Sequence, residues 1–419
     1  MRASTIAGVA VLACAALPVR AQILPPDDSL VQFHRYTAVR ERVIPGFTPT
    51  AIALGSFTLT PEIDVSGEYT DNIYALQTPR VADQFVDVAP SALLQTSTDS
   101  SSLSLAANGH IDRYVSHPSE NSEEVETSAY GIRQFGNATR VRLIARYHQD
   151  RESRESENAI VLTQRPVRFE TADAALGVSQ RFASAMLSGE AGFQRASYFD
   201  ARLFDGTPLD QHYRDNDVKT VRLRGEIAQS PSLAYFAQAT NSWVDYRIAG
   251  AGRGARNLEV LGGVRFELPI RARGEIGIGY VHAAFDGAVR SFSGVGINSS
   301  VTFFPTELVT VTVTAQRSLN DAGTPTSSGY VALSAGVQAD YEVLRQLIVG
   351  AGVQLERDTF NALDRRDGRV AGTVSAEYRS KGGWALRTGY DLLDLTSSGT
   401  ARYKSFNRNR VTLGLRFFL

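Results

Sequence analysis

From residue 57 to the end of the chain, apolar and polar residues alternate, break at a polar gap, and alternate again. Val141, Leu143, Ala145 and Tyr147 are interleaved with Arg140, Arg142, Arg146 and His148. Val221, Leu223, Gly225 and Ile227 are interleaved with Arg222, Arg224 and Glu226, and Leu258 to Leu268 repeats the pattern over a longer stretch. Later sets run from Val331 to Tyr341, from Leu347 to Leu355 and from Val370 to Tyr378. Val411, Leu413, Leu415, Phe417 and Leu419 carry the pattern to the last residue. Successive side chains of an extended strand point to opposite faces, so each set forms one apolar surface backed by a polar one. The chain therefore reads as all-β, with about 18 strands and 16 as the alternative.

The gaps are sorted by length. Tight connections fall near Gly136-Asn137, Ser230-Pro231, Pro269-Ile270, Pro305-Thr306 and Lys381-Gly382. Long polar stretches, at 71–83, 116–124, 149–160, 197–217, 318–328 and 357–367, lie between them. A soluble sandwich has no reason to sort its loops by parity. An antiparallel transmembrane barrel does, with short periplasmic turns and long extracellular loops. Two stretches resist assignment: Ile160 to Phe169, strand or loop around Pro166, and the register from Ser100 to Val115.

Lipid contains no partner for a backbone N–H or C=O, so strands can span it only as a closed sheet. An arginine facing lipid at mid-depth costs roughly 2–4 kcal/mol. The apolar face must therefore point outward and the charged face into a wet lumen. On that face the pore-lining candidates are Arg142, Arg146, Arg222, Arg224, Glu226, Arg265, Glu275 and Arg345, joined by Arg273, Glu259 and Glu377. A mutually neutralised wall explains any one of them as well as solute selection does, because isolated solvated pairs are weak. Tyr69, Tyr147, Tyr341, Tyr378 and Tyr390 fall near strand ends, where an interfacial aromatic girdle is expected.

The N-terminus is read as processing signal, not fold. Arg2, the short apolar run Ile6 to Leu17 and the small residues around Val19-Arg20-Ala21 predict a signal peptide over 1–21. Residues 22–56, with Pro25-Pro26, Pro45-Gly46 and Pro49, predict an extended periplasmic lead-in without a core of its own, and the barrel takes 57–419.

Composition removes several function classes. Lys+Arg and Asp+Glu balance at 43 and 44, so there is no whole-chain footprint for nucleic acid. Cys14 is the only cysteine, which rules out a thiolate metal site in the mature chain. Mean hydropathy of -0.15 looks soluble, but a barrel averages its two faces. The six histidines lack H-E-x-x-H spacing and no G-x-S-x-G elbow occurs, so no enzyme, metal or cofactor is expected. His148 with Asp150 is the one candidate base and partner, and a lumen or rim histidine is the simpler reading. Gly250-Ala251-Gly252-Arg253-Gly254 reads as a flexible surface loop rather than a phosphate loop, since no helix follows it.

Three short motifs carry a family resemblance: Gly55-Ser56-Phe57-Thr58-Leu59-Thr60-Pro61, Tyr69-Thr70-Asp71-Asn72-Ile73-Tyr74 and Asp87-Val88-Ala89-Pro90. They resemble the opening strands of the second putative beta-barrel porin family of Gram-negative bacteria. The resemblance implies an outer-membrane barrel, often associated with exopolysaccharide export, and supplies no catalytic residues. Asp71 and Asn72 themselves read as turn formers. The C-terminal strand also resembles the signature read by the outer-membrane assembly machinery, with Leu419 where Phe is usual.

The expectation is thus an outer-membrane porin-like channel for small hydrophilic solutes, with an accessory or conduit for exopolysaccharide export as the alternative. Expected partners are outer-membrane lipid and lipopolysaccharide, the assembly machinery and export components. A constriction requires an infolded loop, and the segments Gln149 to Glu155 and Ser197 to Asp217 are the candidates.

Overall fold

The computed structural model describes residues 29–44, 46–47, 51–159, 162–248, 254–286, 291–320, 322 and 329–418. The signal-peptide segment, most of the Gly250–Gly254 stretch and Leu419 lie outside the described residues.

Eighteen long antiparallel strands form one sheet. The first half comprises β1 (Phe57–Thr70), β2 (Asp83–Ser97), β3 (Ser101–Tyr114), β4 (Ser122–Phe135), β5 (Thr139–Arg151), β6 (Arg168–Arg181), β7 (Ala185–Tyr198), β8 (Asn216–Ser230) and β9 (Leu233–Tyr246). The second comprises β10 (Ala255–Leu268), β11 (Ala272–Phe285), β12 (Phe292–Thr306), β13 (Val309–Asn320), β14 (Tyr330–Leu344), β15 (Leu347–Phe360), β16 (Arg366–Arg379), β17 (Trp384–Ser398) and β18 (Phe406–Phe418). Each strand pairs with its sequence neighbour, and β1 pairs with β18 from Glu62↔Phe418 to Thr70↔Arg410. The eighteen-strand ring is closed, and a short strand, Ile52–Leu54, pairs with the start of β1 beyond the seam. The count is 18 rather than 16.

Turn lengths follow the expected parity. At one end, two to four residues join the strands, as at 136–138, 231–232 and 307–308. Gly136 adopts φ 60°, a left-handed conformation that a Cβ would strain. Longer connections fill the other end, among them 71–82, 152–167 and 199–215. In outer-membrane barrels the short-turn end is periplasmic.

Alternation sets the faces. Leu143, Leu223, Val353, Val374 and Leu413 are exposed on the outer surface, as are all five tyrosines named above. Arg142 and Arg224, next in sequence to two of those leucines, are buried within. The uncertain register of β3 is in phase with β2 on both sides of Pro90, where the ladder lapses. Proline lacks the N–H a ladder needs, and Gly109 on β3 leaves room, since a Cβ there would stand 3.4 Å from the Pro90 ring. Residues 162–167 are loop, tied to the rest by the isolated bridge Thr163↔Leu203 and by hydrogen bonds from Glu152 and Arg154, and Ile160 and Val161 lie outside the described residues.

Asp71 and Asn72 close the seam. Asp71 accepts from the Asn409 backbone and side-chain amides at 2.8 and 2.7 Å. Asn72 Nδ2 donates to Leu76 O and Asn407 O at 2.7 and 2.9 Å. One turn is thereby fixed to the strand that completes the ring.

Candidate functional site

The inner wall is built from side chains opposite the apolar face, and seven of the eight pore-lining candidates are on it. Arg142 bonds Glu190, and Arg222 stands 3.9 Å from the same carboxylate. Arg146 donates to Asp173 at 3.0 Å. Arg224 is 2 % exposed and reaches Glu226 at 2.8 Å and both oxygens of Glu275 at 2.9 and 2.8 Å. Its guanidinium lies 3.8 Å over the Phe236 ring. Phe236 in turn lies flat on glycine, since a Cβ at Gly263 would meet the ring at 2.6 Å. Arg265 stands 3.5 Å from Glu275.

Arg345 is a correction. It sits in the two-residue turn 345–346 and is exposed at the rim. A register shift between Glu342 and Leu344 breaks the two-residue period just before it, so counting by parity carries it to the wrong place.

Among the described residues, two segments enter the lumen. The lead-in is extended, and its residues 29–44 run along the inner wall at the short-turn end from β8 to β16. Glu226 accepts from the Ser29 hydroxyl and the Leu30 N–H at 2.8 and 2.9 Å. Glu267 accepts from three consecutive N–H groups, those of His34, Arg35 and Tyr36, at 3.0, 3.0 and 3.3 Å. The Val39 N–H donates to Thr310 Oγ1 at 3.0 Å. Arg265 and Arg273 donate to the carbonyls of Val31 and Tyr36 and cover the Phe33 ring at 4.4 and 5.3 Å. Side-chain pairs finish the strap: Glu41 with Arg273, Arg40 with Asp340 at 2.8 Å and Arg42 with Glu342 at 2.9 Å. Val31 and Val39 of the strap are fully buried.

The second segment is the loop after β5. Residues 152–157 turn inward at the long-loop end and cross to strands five and seven positions away in the ring of eighteen, β18 and β16. Glu155 accepts from Arg408 Nε and Nη2 at 2.7 and 3.1 Å and lies 3.8 Å from Arg410. Glu157 pairs with Arg369, and Arg365 and Arg369 also donate to the loop carbonyls of Glu157 and Glu155. At its near side Glu152 takes Arg214 at 2.6 Å from the neighbouring loop, and Arg154 takes Glu120 at 2.9 Å. The Lys404 ammonium bonds the Arg154 carbonyl. Burial favours a neutral Glu155, but the Arg408 and Arg410 guanidiniums outweigh it and hold the carboxyl below its ordinary 4.5. Burial pushes Lys404 down to about 8, against the pull of Glu157 and Glu155.

The strap contacts and Arg365, Arg369, Arg408 and Arg410 were not picked out from sequence. The arginines had a signal: Arg408 and Arg410 continue the polar phase of Thr412 and Arg416 on β18. The expected infolded loop is the one beginning at Gln149, while 199–215 holds it through Arg214 and Glu152.

His148 and Asp150 meet at 3.2 Å. Similar pairs recur at His110–Asp87, His117–Asp83 and His212–Asp215, at 3.6, 2.8 and 3.2 Å, so the geometry does not single out one histidine as a base.

Across residues 44–418 the chain matches the sequence model of the family described as Putative beta-barrel porin 2. Solved structures with a similar fold include OccK2 (OpdF) of Pseudomonas aeruginosa in complex with glucuronate, at 9% identity and a TM-score of 0.47, covering 86% of this chain and 98% of that one. The outer membrane protein OpdK of the same organism matches at 11% identity and 0.46, with 86% and 99% covered. The FrpB iron transporter of Neisseria meningitidis, F5-1 variant in its apoprotein form, matches at 8% and 0.45, with 86% and 81% covered. No curated protein sequence matches the chain.

Proposed function

Because the chain belongs to the Putative beta-barrel porin 2 family and folds as a porin-like outer-membrane barrel, we propose that it passes small hydrophilic solutes through its lumen. The observation that carries this reading is the loop 152–157, which crosses the lumen and docks its carboxylates on arginines of the far wall. A ring of this size leaves room for water rather than filling itself with side chains. A loop folded across that room narrows it, and carboxylates facing guanidiniums create a transverse field that favours polar solutes with separated charge. The chain acts in this reading as a channel, without catalysis. Its partners are outer-membrane lipid, lipopolysaccharide and the assembly machinery.

An accessory role in exopolysaccharide export rests on the family resemblance alone and ranks second. Purified protein in planar bilayers is expected to give discrete conductance steps that grow when 153–158 is replaced by a short glycine-serine link. A folded barrel that stays closed in both forms would overturn the channel reading.

A further inference from the structure

On the far wall, beyond the Glu157–Arg369 pair, three carboxyl groups converge. Oxygens of Glu157, Glu356 and Asp358 all lie within 4.8 Å of one another. Glu157 belongs to the infolded loop, whereas Glu356 and Asp358 face inward from β15, eight strands away from the loop's own root on β5. Asp358 is 1 % exposed, and its Oδ1 has no hydrogen-bond partner. A buried carboxylate oxygen without a partner is costly, and it demands a ligand or a proton. The neighbouring cations do not donate to that oxygen. Arg365 is bonded to Asp367, and Arg369 is bonded to Glu157. The Arg369 guanidinium faces all three carboxyls and the Lys404 ammonium faces Glu157, yet the buried Asp358 Oδ1 keeps no donor.

We propose that Glu157, Glu356 and Asp358 bind a divalent cation, calcium by preference, which latches the infolded loop to the wall. The donor set is all oxygen, with no His or Cys, which suits a hard cation and not zinc or copper. Carboxylates that can each give one or two oxygens, completed by water from the lumen, match the flexible coordination calcium accepts better than the strict octahedron of magnesium. Two ligands come from a rigid strand and the third from a loop, so binding couples to the position of the loop. Nothing in this inference depends on which solute the barrel passes.

The test uses the purified, folded, full-length barrel in detergent, stripped with chelator and titrated with terbium(III). The probe is read by tyrosine-sensitised emission, for which Tyr330 is placed beside the site: Ala332 pairs with Asp358 and Tyr330 with Phe360. We expect one tight terbium site displaced by calcium. Asp358→Asn and Glu157→Gln should each weaken it by more than about tenfold, since even outer-shell partners cost that much. Asp210→Asn, in the exposed group Asp200, Asp210 and His212, should leave it intact. If Asp358→Asn fails to fold, Glu157→Gln on the loop decides. The proposal is overturned if the folded protein binds no calcium-displaceable terbium, which would mean the carboxyls share protons instead. It is equally overturned if binding survives Glu157→Gln or disappears in Asp210→Asn.

Discussion

The strap at the short-turn end and the loop at the opposite end both occupy the lumen, yet the wall holds them by opposite chemistry. Along much of the strap the wall supplies carboxylates and the guest supplies main-chain N–H groups, as where Glu267 gathers three of them. At the loop the wall supplies guanidiniums and the guest supplies the carboxylates Glu155 and Glu157. Main-chain recognition fixes a path while leaving the strap's side chains free to vary. Side-chain pairing makes the loop's position depend on two or three charges, and therefore on pH, salt and cations. The strap is built as a fixture and the loop as a movable part.

Arg408→Leu should separate the two most. It leaves Glu155 with only the longer contact to Arg410, and breaking a buried pair by removing one partner costs up to about 3–5 kcal/mol. A thiol placed at Ser156, which is 1 % exposed, reports docking, because Cys14 is the only native cysteine. Maleimide should label Ser156→Cys much faster in the Arg408→Leu background, while protease cleavage within 29–44 stays slow. Unchanged labelling would mean the loop is held elsewhere.

The converse variant is Glu267→Ala, which leaves three N–H groups of the strap without their acceptor. Hydrogen bonds to charged groups are worth about 1.5–3 kcal/mol, so limited proteolysis of 29–44 should quicken while Ser156→Cys labelling holds steady. If both change together, the two segments are coupled and the distinction fails.

Acid should act on the loop in a defined direction. The Glu155 carboxyl is held below 4.5 in the docked state, so its contribution is present above that value and is lost as pH falls through the docked pKa. Labelling of Ser156→Cys, taken relative to a fully exposed cysteine at the same pH, should therefore rise as pH drops below 4.5. Lys404 acts at the other end of the scale. Between about 8 and 10.5 the docked loop binds fewer protons than the released one, so docking strengthens as pH rises through that window. A relative labelling rate flat across both ranges would count against the assignment of either group.

The smallest effect belongs to Arg40→Ala. Arg40 is 37% exposed in its pair with Asp340, and exposed pairs contribute only about 0.2–1 kcal/mol. Strap proteolysis should barely change. A large effect would place the strap's anchor in its side-chain pairs instead of its main chain.

The ring was legible because its causes are local. A two-residue period marks every strand, glycine or proline near several of the tight connections marks the turn end, and the polar phase identifies Arg142, Arg224 and Glu275 without any knowledge of their partners. Arg345 escaped because one bulge resets the phase, and Ile160 to Phe169 was ambiguous because a loop pinned by side chains carries no period. Pro90 blurred the register of β3 for a similar reason: the strand continues there without its ladder bond.

What the sequence settled by itself is everything that follows from alternation, namely strands, faces, the sorting of the loops and a closed sheet. What fills the lumen was decided by the tertiary structure alone. Ser29 and Glu226, Glu155 and Arg408, Glu157 and Asp358 are 197, 253 and 201 positions apart (the last from 358 − 157). No pattern along the chain links such groups; closing the ring and drawing two segments into it brings them together.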